Sequence, residues 1–90
     1  MNNNQLIDVA GSVLNVHTTA DHRVFGDVGA ALVSASGKLY TGVCIDTPSW
    51  GLCAERSAIA AMVTQGEYRI GKIVAVWEDE RSGALHVLPP

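Results

Sequence analysis

The sequence predicts an α/β fold in a single small domain, and three observations carry that expectation. Residues 39–44 and 70–77 read as strands and residues 54–65 between them as a helix, the order of a right-handed crossover joining parallel strands. The run Val28-Gly29-Ala30-Ala31-Leu32-Val33-Ser34 is short and almost wholly apolar, which suits a strand covered on both faces. Near the N-terminus, apolar residues recur at helical spacing. Ninety residues leave room for one core, which removes roughly 60–65% of the unfolded chain's surface from water.

Residues 5–18 place Leu6, Ile7, Ala10, Val13, Leu14 and His17 three and four apart, predicting an amphipathic helix. Polar residues 18–23 then predict a loop. After the apolar strand, Ser36-Gly37 is turn chemistry, and Leu39-Tyr40-Thr41-Gly42-Val43-Cys44 returns as the partner strand of a hairpin. Pro48 and Gly51 make residues 46–52 a loop. The following helix is rich in strong helix formers, offers Ala58, Ile59, Met62 and Val63 to a sheet, and should stop at Gly66. Residues 70–77 (IGKIVAVW) are the clearest strand, residues 78–83 a charged turn, and residues 84–88 a last short strand. Two helices are few for covering both faces of such a sheet. Trp50 and Trp77 read as packing residues.

Composition narrows the function. The chain is 48% hydrophobic and 17% charged, a globular balance rather than a disordered one. Its formal net charge of −3, with Lys and Arg scattered from Arg23 to Arg81, offers no stripe for phosphates and argues against a polynucleotide editor. No apolar run reaches the ~18–20 residues of a membrane span. Cys44 and Cys53 could form a disulfide in a secreted protein, but the opening MNNNQ lacks the basic and apolar regions of a secretory signal, so reduced thiols and a cytoplasmic location are expected.

The chemistry-bearing stretch is Trp50-Gly51-Leu52-Cys53-Ala54-Glu55-Arg56-Ser57-Ala58, with a thiol two residues before a carboxylate where a helix begins. Taken alone, Cys53 is more often a small buried apolar residue than a metal ligand, and Glu55 reads also as a first-turn glutamate favoured by the helix dipole. On a shared metal the two could run a hydrolytic reaction, with Glu55 moving protons beside a zinc-bound water. His17, His22 and His86 lack ligand spacing, so none is assigned to a metal.

In this order and spacing the chain resembles the cytidine deaminases, including their blasticidin-S-deaminase relatives, from about residue 25 to residue 90. Val28-Gly29-Ala30-Ala31-Leu32 resembles the family's VGAAL strand, and Ser36-Gly37-Lys38-Leu39-Tyr40-Thr41-Gly42-Val43 its hairpin. Cys53-Ala54-Glu55-Arg56-Ser57-Ala58 resembles its CAERxA helix start, and His86-Val87-Leu88-Pro89-Pro90 the segment leading into Pro-Cys-x-x-Cys. The resemblance implies a three-layer α/β/α fold with a mixed sheet, C-terminally incomplete because residues 1–90 end before the second zinc-ligand motif. It implies zinc-dependent hydrolytic deamination of a cytosine nucleoside in pyrimidine salvage, by a homotetramer or a dimer. Cys53 would be the zinc ligand supplied here, Glu55 the catalytic proton carrier, and Ala54, by its amide, a holder of the base. Arg56 would temper thiolate charge, a role reduced with one thiolate in place of three.

Three departures accompany the likeness. The family's ribose-holding Asn-x-Glu falls on Cys44-Ile45-Asp46, so Cys44 and Asp46 are candidate substrate contacts with altered chemistry. By residue type alone, Cys44 also reads as a buried strand-end thiol and Asp46 as a turn cap. Phe25, the candidate base-packing ring, is followed by one residue more than the family pattern has. The missing cysteine pair leaves a second expectation open: a catalytically inactive truncated or degenerate fragment acting as a structural or binding partner.

Overall fold

The computed structural model describes residues 1–47 and 50–88. Helix α1 (Asn3–Ser12) opens on a capping box: the Gln5 amide donates to the Asn2 side chain at 2.8 Å, and the Asn2 amide donates to the Gln5 side chain at 2.9 Å. It starts earlier than expected and ends well short of residue 18. Gly11, Ser12, Val13 and Asn15 are weak helix formers, and the Asn15 amide donates instead to the Gly26 carbonyl at 2.9 Å. His17 is therefore not helical. It begins β1 (His17–Thr18), which pairs antiparallel with β2 (Val24–Phe25). The expected loop is the turn of that hairpin, in which the Arg23 amide donates to the Thr19 hydroxyl at 3.1 Å and His22 adopts a φ of 65°.

The main sheet holds β3 (Gly29–Ser34), β4 (Leu39–Val43), β7 (Ile70–Glu78) and β8 (Leu85–Val87) in the order β4-β3-β7-β8. Between them in sequence come β5 (Ile45–Asp46), β6 (Gly51–Leu52) and helix α2 (Ala54–Thr64). β4 and β7 run parallel, as the crossover reading requires, because each is antiparallel to β3. They are not neighbours: β3 lies between them, and every ladder among the described residues is antiparallel. The mixed sheet of the expectation thus reduces, in these residues, to an antiparallel one. The expected loop 46–52 also contains β6, paired with β5, while Pro48 and Ser49 lie outside the described residues.

Three layers form as expected, with one helix on each face. α2 packs on β3 and β4, burying Ala54, Ala58 and Met62 against Ala30, Leu32 and Ala75. α1 packs on β3 and β7, burying Leu6 and Ala10 against Ala31 and Val76. Alternation along one strand, Ala30 and Leu32 one way and Ala31 the other, lets β3 serve both cores. With one helix on each face, parts of β7 and β8 stay exposed. Trp77 is 39% exposed and stacks on His86 with ring centroids 4.6 Å apart, and Trp50 is 56% exposed, so neither is a core residue. Val63 also faces solvent.

Gly66, with φ of 85°, ends α2 as its sequence position suggests. The next residue ties the chain together. Glu67 accepts from Ser34 at 2.9 Å, from Tyr40 at 2.5 Å and from Ser36, joining the helix end to the β3–β4 hairpin. The Ser36 and Tyr40 hydroxyls hold its carboxyl below the ordinary 4.5, and the same bond pushes the Tyr40 phenol up from 10.0. A depressed carboxyl stabilises the fold above its unfolded value, and that contribution disappears as pH falls through the folded value. Stability should therefore decline as pH drops below 4.5, and Glu67→Gln should flatten that part of the curve while lowering the denaturation midpoint at neutral pH. Urea melts of both proteins between about pH 7 and about pH 3 check this; parallel curves would contradict it.

Candidate active site

The candidate residues gather where β4 ends and α2 begins. β5 follows directly on β4, folds back through β6 with Ile45 opposite Leu52 and Asp46 opposite Gly51, and so delivers the chain to Cys53. Cys53 is the N-cap of α2, in an extended conformation with φ −71° and ψ 158°, and its exposed side chain makes no capping hydrogen bond. Its carbonyl accepts from the Ser57 amide at 3.0 Å, which anchors the first turn. Ala54 is fully buried and fastens the helix start to the core. Glu55 is half-buried in the first turn, a position the positive end of the helix favours for a carboxylate.

Packing fixes the height of this helix start over the sheet. A Cβ on Gly42 of β4 would lie 2.4 Å from the Ala58 amide nitrogen and 2.6 Å from the Ser57 Cβ. Only glycine lets β4 and α2 approach this closely.

The flank of the site comes from β5 and the segment before β3. The half-buried Cys44 donates its thiol to an Asp27 carboxylate oxygen at 2.7 Å; burial, and then that carboxylate, push the thiol up from 9.0. Asp46 is exposed, with the Arg23 guanidinium 3.5 Å from its carboxylate. Phe25 is half-buried, lies against β5 through its strand β2, and stacks on His17 at 6.5 Å. The structure thus brings β2, β5 and the α2 start to one edge, with Phe25, Cys44 and Asp46 beside the strand that leads to Cys53, Ala54 and Glu55. Asp27 and Arg23, the partners of Cys44 and Asp46, escaped the sequence reading. No spacing rule links residues 17 and 23 positions apart, and only the fold does so.

The donor set at this edge is small. Among the described residues no three His, Cys, Asp or Glu side chains gather as a metal set. Catalytic zinc takes three protein ligands, so one thiol at Cys53 fits a single corner of such a site and does not make one. A cavity of about 690 Å³ lies elsewhere, between the α1–β1 connection and the β7–β8 turn, lined by residues including Leu14, Val16, Asp27, Val28 and Trp77. None of the candidate residues lines it, so the chemistry and not the volume marks the site.

With this geometry in place, comparison with known proteins becomes informative. No family model matches the chain. A probable cytidine deaminase from Dictyostelium discoideum is 43% identical over 54 residues, which is 58% of this chain and 36% of that protein. The crystal structure of cytidine deaminase from Mycobacterium tuberculosis superposes with a TM-score of 0.74 at 26% identity, covering 100% of this chain and 69% of that one. That of the Mycobacterium leprae enzyme gives 0.69 at 29% identity, covering 84% and 64%. The chain is related to the cytidine deaminases. It shares their fold as well as local sequence, and it spans about a third of the curated relative and about two thirds of the solved structures. No helix among the described residues is long and apolar enough to cross a membrane.

Proposed function

We propose that the whole protein is a zinc-dependent hydrolase that deaminates a cytosine nucleoside, and that the start of α2 is its reacting centre. The observation that carries this reading is the pairing of an exposed, uncapped Cys53 with Glu55 on a helix start locked to the sheet at Gly42, in a chain related to proteins named cytidine deaminases. Cys53 would give the metal one of its ligands, and donors outside these residues would complete the set. When bound, the zinc would supply an acidified water. Glu55 would accept the proton of the attacking water, pass it to the ring nitrogen and later protonate the departing amine. The Ala54 amide would hold the base, Phe25 would pack near it, and Asp46 and Cys44 would face the sugar.

Cys44 is a thiol where a carboxamide would both donate and accept, and it already donates to Asp27. This supports weaker selection at the sugar and a substrate range that includes deoxycytidine or a related aminopyrimidine. The exposed Val63, Tyr68, Ile70 and Val87 support a homo-oligomer, a tetramer or a dimer. A cytoplasmic setting belongs to the same reading. The test is turnover: the whole protein, incubated with cytidine and with deoxycytidine, should release ammonia and form the matching uracil nucleosides. Absence of both products with zinc present would refute the assignment. A second reading rests on the lack of a three-donor set among the described residues: these ninety residues alone would be catalytically inert and serve as a structural partner.

A further inference from the structure

We propose that Cys44 and Cys53 form a reversible intramolecular disulfide, a redox modification that withdraws Cys53 from the candidate site. The inference comes from the register of the β5–β6 hairpin and applies to the protein with no metal on Cys53.

Asp46 faces Gly51 and Ile45 faces Leu52, so continuing that register by one residue past the two strands sets Cys44 opposite Cys53. Its type follows from alternation. At the tip of the hairpin the Thr47 amide donates to the Trp50 carbonyl at 2.9 Å, marking a hydrogen-bonded pair. Pairs alternate along an antiparallel ladder, so Asp46–Gly51 is non-hydrogen-bonded, Ile45–Leu52 hydrogen-bonded, and Cys44–Cys53 non-hydrogen-bonded again. The backbone of Cys44 agrees. Its amide donates to the Val28 carbonyl and its carbonyl accepts from the Gly26 amide, both at 3.1 Å, so its polar groups point away from Cys53. Cys53 keeps extended dihedrals before the helix begins. Non-hydrogen-bonded pairs bring Cα atoms to about 4.5 Å with side chains closer still, inside the roughly 4.4–6.8 Å that a disulfide spans.

Both thiols are free, and Cys53 is exposed. In the presence of a small disulfide such as oxidised glutathione, the accessible Cys53 sulfur attacks one glutathione sulfur and expels the other as a thiol. Cys44, released from Asp27, then attacks Cys53 in the mixed disulfide and expels the second glutathione. Two protein thiols are oxidised, one glutathione disulfide is reduced, and the two thiol protons end on the two glutathiones. A reducing pool reverses each step.

The experiment uses the whole protein stripped of metal by a chelator; Cys44 and Cys53 fall in one tryptic peptide, residues 39–56, because no Lys or Arg separates Lys38 from Arg56. The chain is equilibrated in glutathione redox buffers, natively and in urea, then quenched by alkylation and weighed by mass spectrometry. The expected result is peptide 39–56 lighter by two hydrogens and unalkylated, with the native chain closing at an effective concentration at least tenfold above the urea-unfolded one. Cys44→Ser should instead leave a lasting glutathione adduct on Cys53. Separate adducts on both wild-type cysteines, disulfide-linked dimers, or closure no better in the native chain than in urea would overturn the proposal. Since the readout counts thiols, it stands or falls apart from deaminase activity.

Discussion

Glu55→Gln is expected to lower ammonia release by the whole protein by roughly 10²–10⁴-fold, the usual contribution of a positioned acid–base group. Glutamine keeps the length and planarity of the side chain, so the half-buried first-turn position can be filled without repacking. It cannot carry a proton between water and base. Because the transfers belong to the transition state, the loss should appear in kcat with little change in KM. Steady-state kinetics on the purified variant, alongside a far-UV spectrum showing the fold retained, provide the check. A variant with near-native kcat would remove Glu55 from the chemistry and return it to the role of a first-turn charge.

Gly42→Ala should be the most damaging single-methyl change at the contact between β4 and α2. The new Cβ would fall 2.4 Å from the Ala58 nitrogen, 2.6 Å from the Ser57 Cβ and 2.7 Å from the Ser57 carbonyl carbon. Two of these three are helix backbone, which cannot swing aside as a long side chain does. Overpacking costs typically 1–3 kcal/mol, and with backbone on both sides of the contact a loss of about 3 kcal/mol is expected. For a chain of this size that lowers Tm by roughly 10–25 °C. Relief requires α2 to lift off β4, carrying Cys53, Ala54 and Glu55 with it, so activity should fall in whatever fraction remains folded. Thermal melts decide it: a shift of only a degree or two would mean that the β4–α2 contact is looser than the geometry shows.

What could be read before the fold was known follows from how much pattern each segment carries. The β3 strand, the β3–β4 hairpin, α2 and β7 are each long enough to display a period or a continuous apolar run, and their predicted bounds lie within a residue or two of the observed ones. The hairpin of β1 and β2 was not legible, since two-residue strands have no period, and the pattern Leu14–His17 mimicked one more helical turn. The strand order was equally hidden. An apolar β3 looks the same at an edge or between two strands, and its pairing with β7 across the whole of α2 is a tertiary outcome.

The site divides in the same way. Cys53 and Glu55 draw notice as a thiol and a carboxylate where a helix begins, but their roles, and that of Ala54, came from the resemblance. Phe25, Cys44 and Asp46 could be named by resemblance, but their surroundings could not. Asp27 under the Cys44 thiol and Arg23 beside Asp46 depend on how residues 23–28 cross β5. A Cys44–Cys53 pair could be named from the cysteine count, but its geometry needed the β5–β6 register, which the loop reading of residues 46–52 concealed.

Zinc content of the whole protein, measured for wild type, Cys53→Ala and Glu55→Gln after removal of loosely bound metal, tests the central claim most directly. If the start of α2 presents one ligand and, one residue beyond Ala54, the proton carrier, wild type and Glu55→Gln should each retain about one zinc per chain, whereas Cys53→Ala should retain almost none. Equal zinc in Cys53→Ala and wild type, or zinc lost from Glu55→Gln, would contradict that division of roles.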